Sequence, residues 1–112
     1  MSSEALKIHR ATGGVAIAST LAATRPINLV AVKLHLSAAG GAAENFTVTI
    51  DSATNLVYDA LLYSQDMTTV QDIVWVPDQP IPVMGNDEID FAYNNANTRT
   101  YGLEVTYSYI GV

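Results

Sequence analysis

Apolar and polar residues alternate along most of this chain, in runs separated by short segments rich in Gly, Asn, Asp and Pro. A period of two places every second side chain on the same face, which is typical of strands with one buried face. The clearest runs are residues 45–51, 88–93 and 101–109. In the first run the even-numbered residues are apolar, and in the other two the odd-numbered residues are. These faces are predicted to point into a core.

A fourth run begins at Pro26 and continues to residue 36. Val30, Val32, Leu34 and Leu36 fall on one of its faces and are predicted to be buried.

Residues 56–63 fit two interpretations, because their apolar residues have both a helical and a strand spacing. Their Tyr and Val content and the surrounding strands favour a strand. Residues 70–76 are predicted to form another strand, which contains the only tryptophan, Trp75. The three prolines of residues 77–82 cannot lie in a central strand, so this segment is predicted to cross between two sheets.

The pattern therefore predicts an all-β protein: a single antiparallel β-sandwich, jelly-roll-like, with about eight strands. Residues 25–112 are expected to form the sandwich domain. Residues 1–24 contain two short alternating stretches, and they are expected to be either an N-terminal arm or short edge strands.

Charge and composition narrow the range of partners. Eleven acidic residues against five basic ones give a formal net charge of −6, and the basic residues are scattered singly. Nucleic-acid binding, which needs clustered Lys and Arg, is therefore not expected. The N-terminus lacks the apolar centre of a signal peptide, and no apolar run approaches a membrane span, so no membrane partner is expected. Charged residues make up only 14% of the chain, which hints that part of the surface is covered by other chains.

The inventory of catalytic side chains is small, and no enzymatic activity or cofactor is expected. The chain has no cysteine and two histidines, His9 and His35, neither in a nucleophile or zinc motif. The acidic residues Asp87, Glu88 and Asp90 could supply calcium ligands, but without a calcium-loop motif a solvated turn is the favoured interpretation. No metal site is predicted.

Two strands, residues 56–63 and 70–76, carry apolar side chains on both faces. A strand of an isolated sandwich has one solvated face, so a second dry face indicates contact with another chain or with the N-terminal segment. The predicted partner interface consists of apolar residues from these strands and from the N-terminal segment: Leu6, Ile8, Val15, Ile17, Leu61, Tyr63, Ile73 and Trp75.

Within residues 25–107 the chain resembles small proteins encoded among the virion genes of tailed bacteriophages. The resemblance lies in six segments: 25–37, 44–51, 63–66, 74–77, 86–90 and 99–105. It implies a virion component with a jelly-roll-like sandwich, such as a capsid decoration (cement) protein or a small tail or fibre protein. It carries no functional residues.

The leading hypothesis is a non-enzymatic structural protein of a phage virion, a capsid decoration protein that stabilises the shell through oligomeric contacts. Its partners would be capsid or other virion proteins and further copies of itself, with a trimer favoured. It would be assembled in the host cytoplasm and reside in the virion. The alternative is a carbohydrate- or receptor-binding β-sandwich module of a tail or fibre, for which the aromatic side chains would provide stacking platforms.

Overall fold

The computed structural model describes residues 5–110, which form nine strands and one 3-10 turn. The elements are β1 (Lys7–Gly13), β2 (Ile17–Ala22), β3 (Ile27–Leu36), β4 (Asn45–Asp51), the 3-10 turn (Leu56–Tyr58), β5 (Ala60–Asp66), β6 (Asp72–Trp75), β7 (Ile81–Val83), β8 (Glu88–Tyr93) and β9 (Tyr101–Tyr109).

The strands form two antiparallel sheets, which confirms the predicted all-β sandwich. Sheet A has the order β1-β9-β3-β6, with β7 also paired to β3, and sheet B has the order β2-β8-β4-β5. With the short β7 left aside, the strands pair in a nested order: β1 with β9, β2 with β8, β3 with β6, and β4 with β5. This nested pairing of eight strands over two sheets is the topology of a jelly roll.

The core is a layer of side chains between the two sheets. Phe46 on β4 and Phe91 on β8 are fully buried from the sheet B side, and Leu34 and Leu103 face them from sheet A. The predicted inward faces of β4, β8 and β9 are confirmed, although Ile50, Tyr107 and Tyr109 at strand ends are only half-buried.

Strand β3 departs from the predicted alternation. Its pairing with β9 shifts between Leu29 and Ala31, so that Val30 is an extra, bulged residue. Because of the extra residue, the buried positions change from odd-numbered to even-numbered along the strand. Ile27 and Leu29 are buried before the bulge, and Val32 is buried after it. The prediction that Val30 belongs to the core was therefore wrong.

The proline-rich segment does not cross between the sheets, which corrects the sequence prediction. Both β6 and β7 pair with β3, so residues 76–80 form an interruption along one edge of sheet A. Pro82 lies within β7, where it is tolerated because β7 is an edge strand. The chain passes to sheet B only at residues 84–87, where Asn86 adopts a φ of 74°.

Residues 56–63 are a strand only in their second half. The 3-10 turn is held by its first cap, because the side chain of Asn55 accepts a hydrogen bond from the Val57 amide at 3.0 Å. Asp59 ends the turn, with its amide donating to the Leu56 carbonyl at 3.0 Å. Strand β5 begins at the next residue.

The N-terminal segment lies within the sandwich from residue 7 to residue 22. Strand β1 forms one of the two edges of sheet A, and β2 forms one of the two edges of sheet B. His9 links them, since its Nε2 lies 2.9 Å from Ser19 Oγ and its ring stacks on Phe91. Burial lowers the pKa of His9 because the neighbouring apolar groups disfavour the charged ring.

One end of the sandwich is organised by side-chain hydrogen bonds. Asn95, in the turn between β8 and β9, donates to the Val15 and Arg99 carbonyls and accepts from the Arg99 amide. Glu44 accepts from Asn94 and from the Ala96 amide. These bonds tie three loops together, including the one between β1 and β2.

Gly40 lies at the same end, and its backbone approaches the core too closely for any side chain. A Cβ at this position would lie 2.5 Å from Tyr93 Oη and 2.6 Å from the Met67 carbonyl oxygen. The Tyr93 hydroxyl is buried and has no hydrogen-bond partner among residues 5–110.

We expect Gly40→Ala to lower the free energy of unfolding by about 1–3 kcal/mol, because the added methyl overpacks a closed site. Gly102→Ala is the matched control, since a Cβ there meets nothing within 4 Å. Urea unfolding followed by circular dichroism measures both. The cost of Gly40→Ala should be smaller in a Tyr93→Phe background; an equal cost in both backgrounds would place the strain elsewhere.

Candidate interaction surfaces

The eight residues of the predicted interface are divided by the structure. Four of them are exposed, namely Leu6, Ile8, Val15 and Leu61. Tyr63 and Trp75 are half-buried. Ile17 and Ile73 belong to the core. The inclusion of Ile17 and Ile73 was wrong, because both point between the sheets and are less than 7% exposed.

Strand β6 presents the opposite face to the one predicted. Ile73 and Trp75 point inward, so Val74 and the following Val76 point outward, with exposures of 69% and 60%. The alternation alone did not distinguish the faces, because both are apolar. The face with Ile73 points inward because Ile73 pairs with the buried Leu34 on β3.

Strands β5 and β6 are the last strands of their sheets, and together they form one side of the sandwich, the β5–β6 margin. The rings of Tyr63 and Trp75 stack across the gap between the sheets, with centroids 4.9 Å apart. Leu61 is 62% exposed on the outer face of sheet B, whereas Val74 and Val76 are exposed on the outer face of sheet A. The pairing of β5 with β4 shifts by one residue between Leu61 and Tyr63, which marks a bulge in β5. The bulge interrupts the regular alternation of inward and outward side chains at Leu61 and Leu62.

The 3-10 turn forms a second apolar surface, which sequence reasoning missed because it assigned residues 56–63 to a strand. Leu56, Val57 and Tyr58, the apolar tip, are 78%, 77% and 63% exposed. Three consecutive apolar residues directly after a polar turn were the available signal. The tip is fixed from both sides, since Asp59 also accepts a hydrogen bond from the Ser52 amide at 2.7 Å.

A recess of about 350 Å³ lies beside the tip. It is lined by residues of two loops and of the strands that precede them: Ile50, Ser52, Thr54, Tyr58, Pro82, Val83, Met84 and Asp87. Met84 is itself largely exposed, so apolar surface continues from the tip across the end of the sandwich.

The outer face of sheet A carries a groove of about 570 Å³ over Gly102. The groove exists because Gly102, the second residue of β9, places no side chain on this face and nothing else fills the space. Thr12, His35 and Asp72 lie in the same row across the four strands.

The neighbouring row is a ladder of charges. Glu104 lies between two cations, with Lys33 Nζ at 2.9 Å from one carboxylate oxygen and Arg10 Nε at 2.8 Å from the other. The hydrogen bonds from Lys33 and then Arg10 lower the pKa of Glu104. In the first row, the His35 ring bonds to the carboxylate of Asp72.

The outer face of sheet B is acidic. Carboxylate oxygens of Asp51, Glu88 and Asp90 lie within 4.8 Å of one another. Asp87 is not part of this group, because it is buried and accepts a hydrogen bond from the Ala53 amide. The predicted cluster is therefore divided, since Glu88 and Asp90 lie on the outer face of sheet B and Asp87 does not. Exposed carboxylates alone do not define a metal site.

Comparison of the sequence with family models and with curated proteins finds no match. In residues 5–110, no helix is long and apolar enough to cross a membrane. The assignment of a function consequently depends on the surfaces described above.

We expect Trp75→Ala to lower the free energy of unfolding by about 2–4 kcal/mol, because it removes the stack that covers the core at the β5–β6 margin. Val74→Ala, one residue away on the outer face, should change it by no more than about 0.5 kcal/mol. Urea unfolding followed by far-UV circular dichroism compares the two. Equal losses would mean that the inward and outward faces of β6 are wrongly assigned.

Proposed function

We propose that this protein is a non-enzymatic structural component of a bacteriophage virion, a capsid decoration protein that binds other virion proteins. The observation that carries the proposal is the apolar tip. Monomeric proteins rarely leave several adjacent large apolar side chains in water, and such patches are typical of interaction sites.

The tip is suited to binding because it is already ordered. Its caps fix the backbone, so little conformational entropy is lost when a partner covers Leu56, Val57 and Tyr58. Burying each side chain contributes about 1.5–3 kcal/mol. The sum is of the same order as the cost of association, about 4–15 kcal/mol. One tip alone therefore binds weakly, and an oligomer that presents several tips binds through their combined effect.

The jelly roll is compatible with this role but does not establish it. The fold occurs in viral capsid domains and also in lectins, and function resides in sites rather than in folds. The specific link to phage particles comes from the resemblance described for residues 25–107.

The test uses particles of the phage that encodes the chain, produced without the protein and then incubated with purified variants. We expect the double variant Leu56→Ser, Val57→Ser to bind such particles about tenfold or more weakly, because two buried apolar groups are lost. Co-sedimentation measures the binding. The fold should be unaffected, since both residues are exposed and outside the core.

Val15→Ser is the control. Val15 belongs to the interface predicted from the sequence and is also largely exposed, but it lies at the opposite end of the sandwich from the tip. It should bind as the unaltered protein does. Absence of the protein from purified intact particles would contradict the proposed function, and normal binding by the double variant would contradict the assignment of the tip.

The groove over Gly102 favours a second function, binding of a saccharide by a tail or fibre module. Its walls combine donors and acceptors from four strands, which suits the hydroxyl groups of a sugar. Its volume lies within the range of small-molecule sites, about 300–1,000 Å³.

The variant Gly102→Leu fills the groove and leaves the apolar tip unchanged. It therefore distinguishes saccharide binding in the groove from binding of virion proteins by the tip. If the groove binds a saccharide, a glycan array should give signals that this variant loses about tenfold or more, since the added side chain occupies the site. The Leu56→Ser, Val57→Ser variant should keep them. An array without signal for the unaltered protein would exclude the second function for the glycans it carries.

A further inference from the structure

The two sides of the sandwich are chemically opposite. On one side lie the free edges of β1 and β2, the β1–β2 margin, and on the other lie those of β5 and β6. Strand β1 carries Lys7 and Arg10 and β2 carries no charged residue, whereas β5 and β6 carry Asp66 and Asp72 and no basic residue. Each margin also exposes large apolar side chains, among them Ile8 on β1 and Val74 on β6.

Both margins present backbone groups that no other strand within residues 5–110 pairs with. A free edge of this kind is a template for another strand, and natural proteins cover or charge such edges to control pairing. In this chain the charges on the two edges differ in sign, so each margin repels its own kind and attracts the other.

We propose that a second copy of this chain binds the β5–β6 margin through its β1–β2 margin, head to tail. Neighbouring strands are antiparallel throughout both sheets, so β6 runs opposite to β1, and β5 runs opposite to β2. A copy placed alongside in the same orientation therefore continues the antiparallel order in sheet A and in sheet B at once.

One register pairs three exposed side chains at the β1 edge with three at the β6 edge, all on the outer face of sheet A. The side chains of Arg10 and Ile8 both point outward from β1, because these residues pair with Glu104 and Thr106 on the outer side of β9. An antiparallel pairing of β1 with β6 then brings one charge pair and two apolar pairs together: Arg10 with Asp72, Ile8 with Val74, and Leu6 with Val76. Residues directly opposite in an antiparallel pair have Cβ atoms about 4.5–5.5 Å apart, close enough for each pair to interact.

The contact is heterologous, so it joins copies into a closed ring or an open chain rather than a two-fold dimer. The trimer expected from the sequence is one such ring. The inference concerns the chain alone and does not depend on a role in a virion, and its test needs no phage particle.

Cysteine cross-linking tests the register, because the natural chain has no cysteine. Chains with Ile8→Cys are mixed with chains with Val74→Cys under mild oxidation, and disulfide-linked dimers are counted by non-reducing electrophoresis. The mixture should give about tenfold or more product than either chain alone, because association brings the two thiols together. A mixture of Val15→Cys and Val74→Cys chains is the control and should not exceed the single chains.

Charge reversal tests the attraction. Arg10→Asp and Asp72→Arg should each weaken self-association about tenfold or more, measured by light scattering after size exclusion, because like charges then face each other. Mixing the two variants should restore association between unlike chains, since each such contact again joins opposite charges. A closed trimer cannot alternate two kinds of chain, so the mixture should form dimers and longer open chains rather than that ring. Thermal unfolding of each variant checks that the fold is retained after loss of the bonds to Glu104 and His35.

Three results would overturn the proposal. The unaltered chain could stay monomeric at all accessible concentrations, Ile8→Cys could cross-link as well alone as in the mixture, or the mixed charge variants could fail to associate. The co-sedimentation experiment measures the binding of the apolar tip to phage particles separately, so a failure of this contact can be distinguished from a failure of the tip.

Discussion

Phe46 and Phe91 lie fully buried between the two sheets, and the arrangement of the other strands follows from the need to cover them. Strand alternation gives each sheet one apolar face, which is stable only against another such face. Central strands are covered by their neighbours, but the layer must also be closed at its sides. His9 and Ser19 close it between β1 and β2, and Tyr63 with Trp75 closes it between β5 and β6.

The parts of the fold that could be predicted are those governed by local alternation. The inward faces of β4, β8 and β9 follow from a period of two, which a single sequence displays directly. Two of the wrongly predicted facings, on β3 and β6, have another cause. A bulge at Val30 adds one residue to β3, and on β6 both faces are apolar, so that only pairing with Leu34 decides which one is inward.

The surfaces could be predicted only in part for a related reason. Exposed apolar residues such as Leu61 were recognisable because they exceed what a one-faced strand needs. The apolar tip was missed because its residues fit a strand pattern, and its 3-10 turn depends on the capping side chain of Asn55 and on the acceptor Asp59. The groove over Gly102 requires four strands in register, which no local pattern contains.

The jelly-roll topology converts a difference along the chain into a difference across the molecule. Because the chain folds back on itself in nested pairs, its beginning supplies β1 and β2 at one margin and its middle supplies β5 and β6 at the other. The basic residues of β1 and the acidic residues of β5 and β6 therefore lie on opposite sides, and each side ends in strand edges that nothing within residues 5–110 pairs with. Closing the core inside a single chain leaves these outer edges open. Since their charges oppose pairing of like with like and favour pairing of unlike margins, the sequence limits edge association to one direction rather than preventing it.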